Sequence, residues 1–237
     1  MRLLTYTKKV VNLLALLSLA GCVATPNLIT KREAYPSLYN AETQPRSILV
    51  LPALNESADA EAAEYYNVTI SAPLTNAGYY AFPIEVVSDV LRQEGIVDTQ
   101  SIMGLPGSAF KEGFGADAVL FVNITRWDKV YAVFSGGVHV DLQFRLVSTE
   151  TDEVLWKYSV KEFLDTSGDS SSGALVSLLA TAISTMMARE FQVASLANEK
   201  AMEALPAGVY NDQYSLDGES QVVDTALKDY DLIGEAE

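Results

Sequence analysis

Short, wholly apolar runs mark the first strands predicted along this chain. Ile48 to Leu51 is one such run, ended by Pro52, and Tyr79 to Pro83 is a second. A third begins with Ala118 to Val122 and continues to Phe134. Continuous apolar residues, instead of alternating ones, are typical of a strand that is buried on both faces. We therefore predict three buried strands at these positions.

Between the strands, apolar residues recur at the spacing of a helix. Ala62, Tyr66 and Ile70 fall on one face of the first such segment. Serine is a favoured N-cap residue, and an internal proline kinks or shortens a helix. The predicted helices are 57–77, capped by Ser57 and kinked at Pro73, then 85–94, and a short one over 108–115.

After Gly137 the pattern changes to strict alternation. Apolar and polar residues alternate from Val138 to Leu146 and again from Val154 to Val160, with a turn at Thr149 to Glu153 between them. This period of two predicts strands with one buried and one wet face, paired as an antiparallel hairpin. A last amphipathic helix is predicted over 174–204.

The order of these elements predicts the fold class. Strands that alternate with helices favour an α/β domain with a partly parallel sheet covered by helices. We predict a single, three-layer-like α/β domain over residues 47–204. Its mixed sheet has the order βαβα(α)β followed by the antiparallel hairpin, and helices pack against it.

The segments on either side of this domain lack periodicity. Residues 22–46 contain Pro26, Pro36 and Pro45 among scattered polar residues, which predicts a tether. Residues 205–237 are acidic and aperiodic, so we predict a tail that is disordered after about residue 214.

The chain begins with the features of a secretory signal. Basic residues precede an apolar run from Val10 to Ala20, which is too short to span a bilayer because a spanning helix needs ~20 residues. Cys22, the single cysteine, follows Leu-Ala-Gly in the pattern of a bacterial lipobox. We predict that residues 1–21 are removed and that Cys22 is acylated. A chance cysteine after an ordinary signal peptide is the alternative.

Acylation of Cys22 would attach the mature protein to a membrane without spanning it. In Gram-negative lipoproteins, which this segment resembles, an aspartate after the cysteine retains the protein at the inner membrane. Val23 and Ala24 stand there instead. The resemblance therefore implies an outer-membrane anchor with the domain facing the periplasm.

Charge and composition narrow the possible functions. Removal of the signal would leave 13 basic and 31 acidic residues, a net charge of −18, which disfavours nucleic acid as a partner. The single histidine, His139, cannot build a His-rich metal site. We predict no cofactor, no metal site and no enzymatic activity.

Few residues suggest chemistry. Gly113 and Gly115 end a helix instead of opening one, so they fit helix capping better than phosphate binding. Asp117 precedes a buried strand and is expected to accept hydrogen bonds from the neighbouring turn. His139 and Asp141 share one strand face but lack a serine nucleophile motif, so a solvated face is the better interpretation.

Two groups of residues are candidates for a protein interface. Exposed aromatic residues are common anchors of interfaces, and small hydroxyl residues allow helices to approach closely. Core packing is the alternative for the aromatic group, and contact with water is the alternative for the helix face. The candidates are Trp127, Tyr131 and Phe134 in the first group and Ser177, Thr181 and Ser184 in the second.

Three segments taken in order resemble a known family. They are residues 45–52 with Asn55 and Ser57, residues 73–74 followed by 78–83, and residues 114–120. Leu205-Pro206 with Gly208 and Tyr210 fits less specifically. Together they resemble a family of small bacterial lipoproteins of unassigned function that includes a Neisseria vaccine candidate.

The resemblance implies a fold similar to the N-terminal domain of TolB and the periplasmic domain of CsgG. It also implies an accessory lipoprotein of a cell-envelope secretion or assembly system, with a CsgG-like outer-membrane lipoprotein or a second copy of the chain as partner. The family has no assigned catalytic residues, so the resemblance transfers none.

Two other functions stay open. An outer-membrane activator of a peptidoglycan synthase would have to reach through peptidoglycan, and a tether of ~24 residues at ~3.3 Å each extends at most ~80 Å. An envelope hydrolase would use Asp117, Asp141 or His139 in a site of unfamiliar type.

Overall fold

A computed structural model describes residues 28–131, 136–165 and 186–223. The helices and strands are, in chain order, β1 (Leu28–Thr30), α1 (Lys31–Ala34), β2 (Ser47–Val50), β3 (Leu54–Asn55), α2 (Ala62–Thr69), α3 (Ser71–Asn76), β4 (Tyr80–Ala81), α4 (Ile84–Gln93), α5 (Gly107–Phe114), β5 (Ala118–Tyr131), β6 (Gly136–Ser148), β7 (Val154–Asp165), α6 (Met186–Ala204) and β8 (Gln221–Val223). Short 3-10 helices form at Pro36–Tyr39, Thr99–Ile102 and Asp217–Glu219.

The main sheet is mixed, as predicted. Its strand order is β4-β2-β5-β6-β7, and β3 also pairs with β5. The strands β2, β3, β4 and β5 pair in parallel, whereas β5, β6 and β7 pair antiparallel. The helical crossovers lie in the parallel half because parallel neighbours cannot be joined by a tight turn.

Helices cover both faces of the parallel half. In β2, Ile48 and Val50 belong to one core, whereas Leu49 belongs to the other. The first core lies under α2, α3 and α6, and the second lies under α4 and α5. This arrangement confirms the three-layer α/β fold and explains the continuous apolar run, since alternate residues face opposite cores.

The prediction of one helix over 57–77 is wrong in two respects: the helix starts later, and two helices are present instead of one. The Ser57 hydroxyl donates to Asn55 Oδ1 at 2.7 Å instead of capping a helix, and α2 begins at Ala62. A new helix, α3, starts after Ile70. Pro73 explains the break, because a proline ring clashes with the carbonyl four residues earlier, which belongs to Thr69.

The strand predicted at Tyr79 to Pro83 is shorter and less buried than expected. Only Tyr80 and Ala81 form β4, at the edge of the sheet, and the Tyr80 side chain is 54% exposed. Tyr79 before it is buried, and its hydroxyl donates to the Pro206 carbonyl at 2.8 Å. The apolar run therefore contains both a short edge strand and a buried residue, Tyr79, that contacts the chain near Pro206.

The predicted tether over 22–46 is wrong from Leu28 onward. Leu28–Thr30 pairs antiparallel with Gln221–Val223, and the side chains of Tyr35 and Leu38 are buried in the first core. The predicted start of the domain at residue 47 therefore moves to Leu28. The segment folds because it buries apolar side chains that a free tether would leave in water.

The acidic tail is also partly folded. Residues 205–223 return to the domain and end in β8, so disorder after about residue 214 is wrong for the part up to Val223. Residues 224–237 lie outside the described residues. The closing helix predicted over 174–204 is confirmed for Met186–Ala204.

Candidate functional site

Asp117 is held by the backbone that begins β2. Its carboxylate accepts hydrogen bonds from the Arg46 N–H, the Ser47 N–H and the Ser47 hydroxyl at 2.9–3.1 Å. Lys111 Nζ lies 3.4 Å from the other oxygen. Burial alone would raise the pKa of Asp117, but these hydrogen bonds and the lysine outweigh it and lower the pKa. Asp117 does accept hydrogen bonds, but the expected source, the neighbouring turn, is wrong, because the donors lie about 70 positions earlier at the start of β2. Asp117 therefore joins the starts of two parallel strands.

A shallow surface cavity adjoins this carboxylate. It has a volume of about 310 Å³, and its lining includes Asp117, Lys111, Gln44 and Glu150. The Asp117 carboxylate already accepts three hydrogen bonds from the protein, so its role at this cavity is structural. Within the described parts of the chain, no group of three or more His, Cys, Asp or Glu residues could hold a metal ion.

His139 and Asp141 lie on the polar side of β6. His139 contacts Phe163 of β7, with 4.7 Å between the ring centroids. Asp141 stands in register with Arg126 on β5 and Lys161 on β7. Desolvation raises the pKa of Asp141, although the charges of Arg126, Lys161 and His139 partly offset this effect. Both residues thus interact with side chains on the neighbouring strands β5 and β7.

A polar face covers the antiparallel half of the sheet on the side of the second core. At its centre Asn123, Gln143 and Ser159 are in register on three neighbouring strands. Gln143 is 7% exposed, and its Nε2 has no hydrogen-bond partner in the described structure. We call this side of the sheet the polar face, and it consists of Asn123, Arg126, Asp128, His139, Asp141, Gln143, Ser159, Lys161 and Phe163, of which Gln143 and Ser159 are buried.

The outer edge of β7 is the second feature of this half. The Tyr35 hydroxyl donates to the Lys157 carbonyl at 3.2 Å from outside the sheet, so this carbonyl points away from β6. Successive residues of an antiparallel strand alternate in this direction. The backbone groups of Ser159 and Phe163 therefore also point outward. β7 is the last strand of the sheet within the described ranges, and Phe163 is 48% exposed.

Of the predicted interface residues, the structure describes Trp127 and Tyr131. Trp127 is 1% exposed, and its Nε1 donates to Glu190 Oε2 at 3.0 Å. The core alternative therefore describes Trp127, and the prediction of a surface anchor is wrong for its side chain. Tyr131 is the last described residue of β5. Cys22, Phe134, Ser177, Thr181 and Ser184 lie outside the described residues.

Trp127 belongs to a buried ionic network that the sequence did not reveal. Lys129 Nζ lies 2.7 Å from Asp59 Oδ2 and 3.6 Å from Glu190 Oε1. Glu190 is 5% exposed, so its charge depends on Lys129 and on the Trp127 N–H for compensation. The network joins β5, α6 and the turn before α2, which lie far apart in sequence.

A second buried ion pair joins the two ends of the described chain. Lys31 Nζ lies 3.1 Å from Asp217 Oδ2 and donates to the Leu205 carbonyl at 3.0 Å. Asp217 also accepts from the Tyr39 hydroxyl and the Ala207 N–H, each at 3.0 Å. We call Lys31, Asp217 and these bonds the terminal clasp. No local pattern signals it, because its members lie on segments that read as tether and tail.

A family model matches the chain over residues 35–210. Its description is "Putative lipoprotein GNA1162-like". The chain belongs to this family. The resemblance of residues 78–83 and 205–210 to the family now has a structural meaning. The Gly208 N–H donates to the Ala77 carbonyl at 2.8 Å, so the two segments lie side by side.

Relatives of known sequence and structure agree with the family. "Putative lipoprotein NMB1124/NMB1162" of Neisseria meningitidis serogroup B is 31% identical over 191 residues, which cover 79% of this chain and 86% of the relative. The crystal structure of lipoprotein GNA1162 from Neisseria meningitidis matches with 33% identity and a TM-score of 0.50, covering 61% of this chain and 99% of that one.

A more distant likeness is to the PelC dodecamer from Paraburkholderia phytofirmans. It is 16% identical with a TM-score of 0.43 and covers 77% of this chain and 98% of that one. Among the described helices of this chain, none is long and apolar enough to cross a membrane. The function of the GNA1162-like family is unassigned.

Proposed function

We propose that this protein is a lipid-anchored, non-catalytic accessory component of a CsgG-like secretion or assembly system in the cell envelope. In this proposal residues 1–21 are removed, Cys22 is acylated, and the anchor lies in the outer membrane with the domain in the periplasm. The partner is a CsgG-like outer-membrane lipoprotein, a second copy of this chain, or both. Membership of a lipoprotein family supports the anchoring part.

The outer edge of β7 supports the proposal that this protein binds another chain. Among the described residues β7 is the last strand of the sheet, and its backbone groups point outward at Ser159 and Phe163. Ser159 is only 6% exposed, so the open part of this edge lies around Phe163. An exposed edge is a template for pairing with another chain. The half-exposed Phe163 ring adds apolar contact area beside the edge.

The bonds of the candidate chemical residues support a role without catalysis. Asp117 connects two strands. His139 contacts a phenylalanine ring, and Asp141 faces Arg126 and Lys161. Each of these groups therefore has a structural partner. The net charge expected of the mature chain, −18, also disfavours nucleic acid as a partner.

In-cell crosslinking of the full chain, with its anchor intact, tests the proposal. Crosslinked complexes are extracted in detergent and identified by mass spectrometry. Phe163→Pro removes an outward-pointing N–H from β7, and Phe163→Ala is the matched control that removes the ring but keeps the N–H. Proline is tolerated at a sheet edge where its nitrogen faces outward, so the fold should persist in both variants.

We expect the unchanged chain to yield a CsgG-like lipoprotein or a homo-oligomer. Phe163→Pro should lose that complex, and Phe163→Ala should retain more of it. Recovery of the chain alone, or of a peptidoglycan synthase in place of these partners, would contradict the proposal. Equal loss in the two variants would contradict pairing through the backbone of β7.

A further inference from the structure

The first described strand begins six residues after the proposed lipid anchor. Leu28–Thr30 of β1 pairs with Gln221–Val223 of β8, and together they form a two-stranded ribbon, the terminal ribbon. Ile29 and Val222 pack against the first core. The ribbon is therefore part of the folded domain, although it lies outside residues 35–210 that the family model matches.

The terminal clasp keeps this ribbon in place. Lys31 follows β1 directly and is bonded to Asp217 and to the Leu205 carbonyl. A capping box at the start of α1 fixes the junction between β1 and α1. In it, the side chains of Thr30 and Glu33 each accept a hydrogen bond from the other residue's backbone N–H. Release of β1 would break this buried ion pair, which is costly because it leaves a charge without compensation.

These contacts set a limit on how far the domain can stand from the anchor. An extended chain spans ~3.3–3.6 Å per residue, so the six steps from Cys22 to Leu28 cover at most about 22 Å. The limit holds whatever path residues 23–27 take. It is about a quarter of the reach expected of a tether that extends to residue 46.

We propose that the terminal ribbon lies against the phospholipid surface that holds the anchor and forms the membrane-facing end of the domain. This inference rests on the acylation of Cys22 in the proposed function. The partner is the headgroup and upper acyl region of the bilayer, and the second core lies on the far side of the sheet from it.

The exposed side chains around the ribbon suit such a surface. Leu28 is 46% exposed and Leu216 is 71% exposed, which gives apolar contacts at the level of the headgroups. Arg32 is half exposed, and its guanidinium donates to the Ser215 carbonyl and lies 4.0 Å from Glu219. The charge of Arg32 is thus offset by Glu219, so this pair adds no net charge to the contact.

A single-label quenching experiment tests the orientation. The full chain is produced in cells, purified with its lipid, and reconstituted in phosphatidylethanolamine and phosphatidylglycerol vesicles that contain a headgroup nitroxide lipid. Because Cys22 is the single cysteine and is acylated, one added cysteine carries one fluorophore. Ser220→Cys places it beside the ribbon. Val97→Cys is the control, since Val97 is 85% exposed and follows Ile96, which packs on the second core.

We expect quenching at position 220 to be several-fold stronger than at position 97. Insertion of a flexible Gly/Ser linker of about 20 residues after Asn27 should reduce the quenching at 220, because such a linker behaves as a random coil and adds reach. Equal quenching at the two positions, or no effect of the linker, would overturn the orientation.

The mass of the purified protein separates the two proposals. If Cys22 carries acyl groups and position 220 is not preferentially quenched, the orientation is wrong and the proposed function stands. If Cys22 carries none, the anchored function and the orientation both fail. Lys31→Met, which opens the clasp, should weaken the quenching at 220 in the acylated protein, and unchanged quenching would contradict the role of the clasp.

Discussion

Lys31 and Asp217 are 186 positions apart, yet they form an ion pair in which Lys31 Nζ lies 3.1 Å from Asp217 Oδ2. Each of the two side chains is 11% exposed. This pair joins the first described helix to the last described 3-10 helix, and so connects the two ends of the described chain. It makes residues 28–46 and 205–223 parts of the domain. Their stability can therefore be tested by substitution.

Loss of Asp217 should be costly. Asp217→Ala leaves Lys31 without its charge partner in a buried site, for which we expect a loss of about 3 kcal/mol in the free energy of unfolding. Glu219→Ala is the control, because Glu219 is 86% exposed and lies 4.0 Å from Arg32. It should cost less than about 0.5 kcal/mol. Urea unfolding of the mature chain measures both, and equal losses would contradict the clasp.

The two tryptophans should differ in what their indole N–H contributes. Trp127 and Trp156 are each 1% exposed. Trp127 Nε1 donates to Glu190, whereas Trp156 Nε1 has no hydrogen-bond partner in the described structure. We expect Trp127→Phe to destabilise the protein by about 1–2 kcal/mol more than Trp156→Phe, because a bond to a buried carboxylate is lost. A smaller loss for Trp127→Phe in urea unfolding would count against this network.

Asp117 and Asp141 should contribute to stability with opposite pH dependence. The folded state lowers the pKa of Asp117, so its contribution is present above the unfolded pKa of about 3.9 and is lost as the pH falls through the folded value. The pKa of Asp141 is raised, so its ionisation opposes folding, and stability is lost as the pH rises from about 3.9 through the folded value.

Urea unfolding between about pH 3 and pH 7 of the Asn variants separates these effects. Asp117→Asn should lose most stability relative to the unchanged chain at the neutral end, and the difference should shrink in acid. Asp141→Asn should gain relative stability towards neutral pH. Parallel pH profiles for the two variants would contradict the opposite pKa shifts of these two carboxyls.

Gly208 should not accept a side chain. A Cβ at this position would overlap the Gly78 carbonyl, and Gly78 itself has a φ of +94°. Gly208→Ala must separate two backbone segments that share a hydrogen bond, and we expect a loss of more than about 2 kcal/mol. Gly113→Ala is the control in α5, where nothing lies within 4 Å, and it should be neutral or slightly stabilising. Thermal unfolding distinguishes the two outcomes.

The strands were predictable because their signal is local. Alternation in β6 and β7 and the continuous apolar run of β2 follow from which faces are buried, and a side chain's face depends on its position along the strand. The place of Asp117 before β5 indicated that its carboxylate accepts hydrogen bonds, but not that the donors are Arg46 and Ser47, about 70 positions away. The lipobox around Cys22 is likewise a local pattern, and acylation there stays a prediction.

The sequence by itself determined the α/β order of the elements, the faces of the strands and the candidate anchor, because each depends on neighbouring residues. Only the tertiary structure decided that Leu28–Thr30 pairs with Gln221–Val223, that Trp127 lies in the core bonded to Glu190, and that β7 is the last strand of the sheet among the described residues. These features join residues tens to hundreds of positions apart. Such contacts form when the core closes and leave no period in either segment.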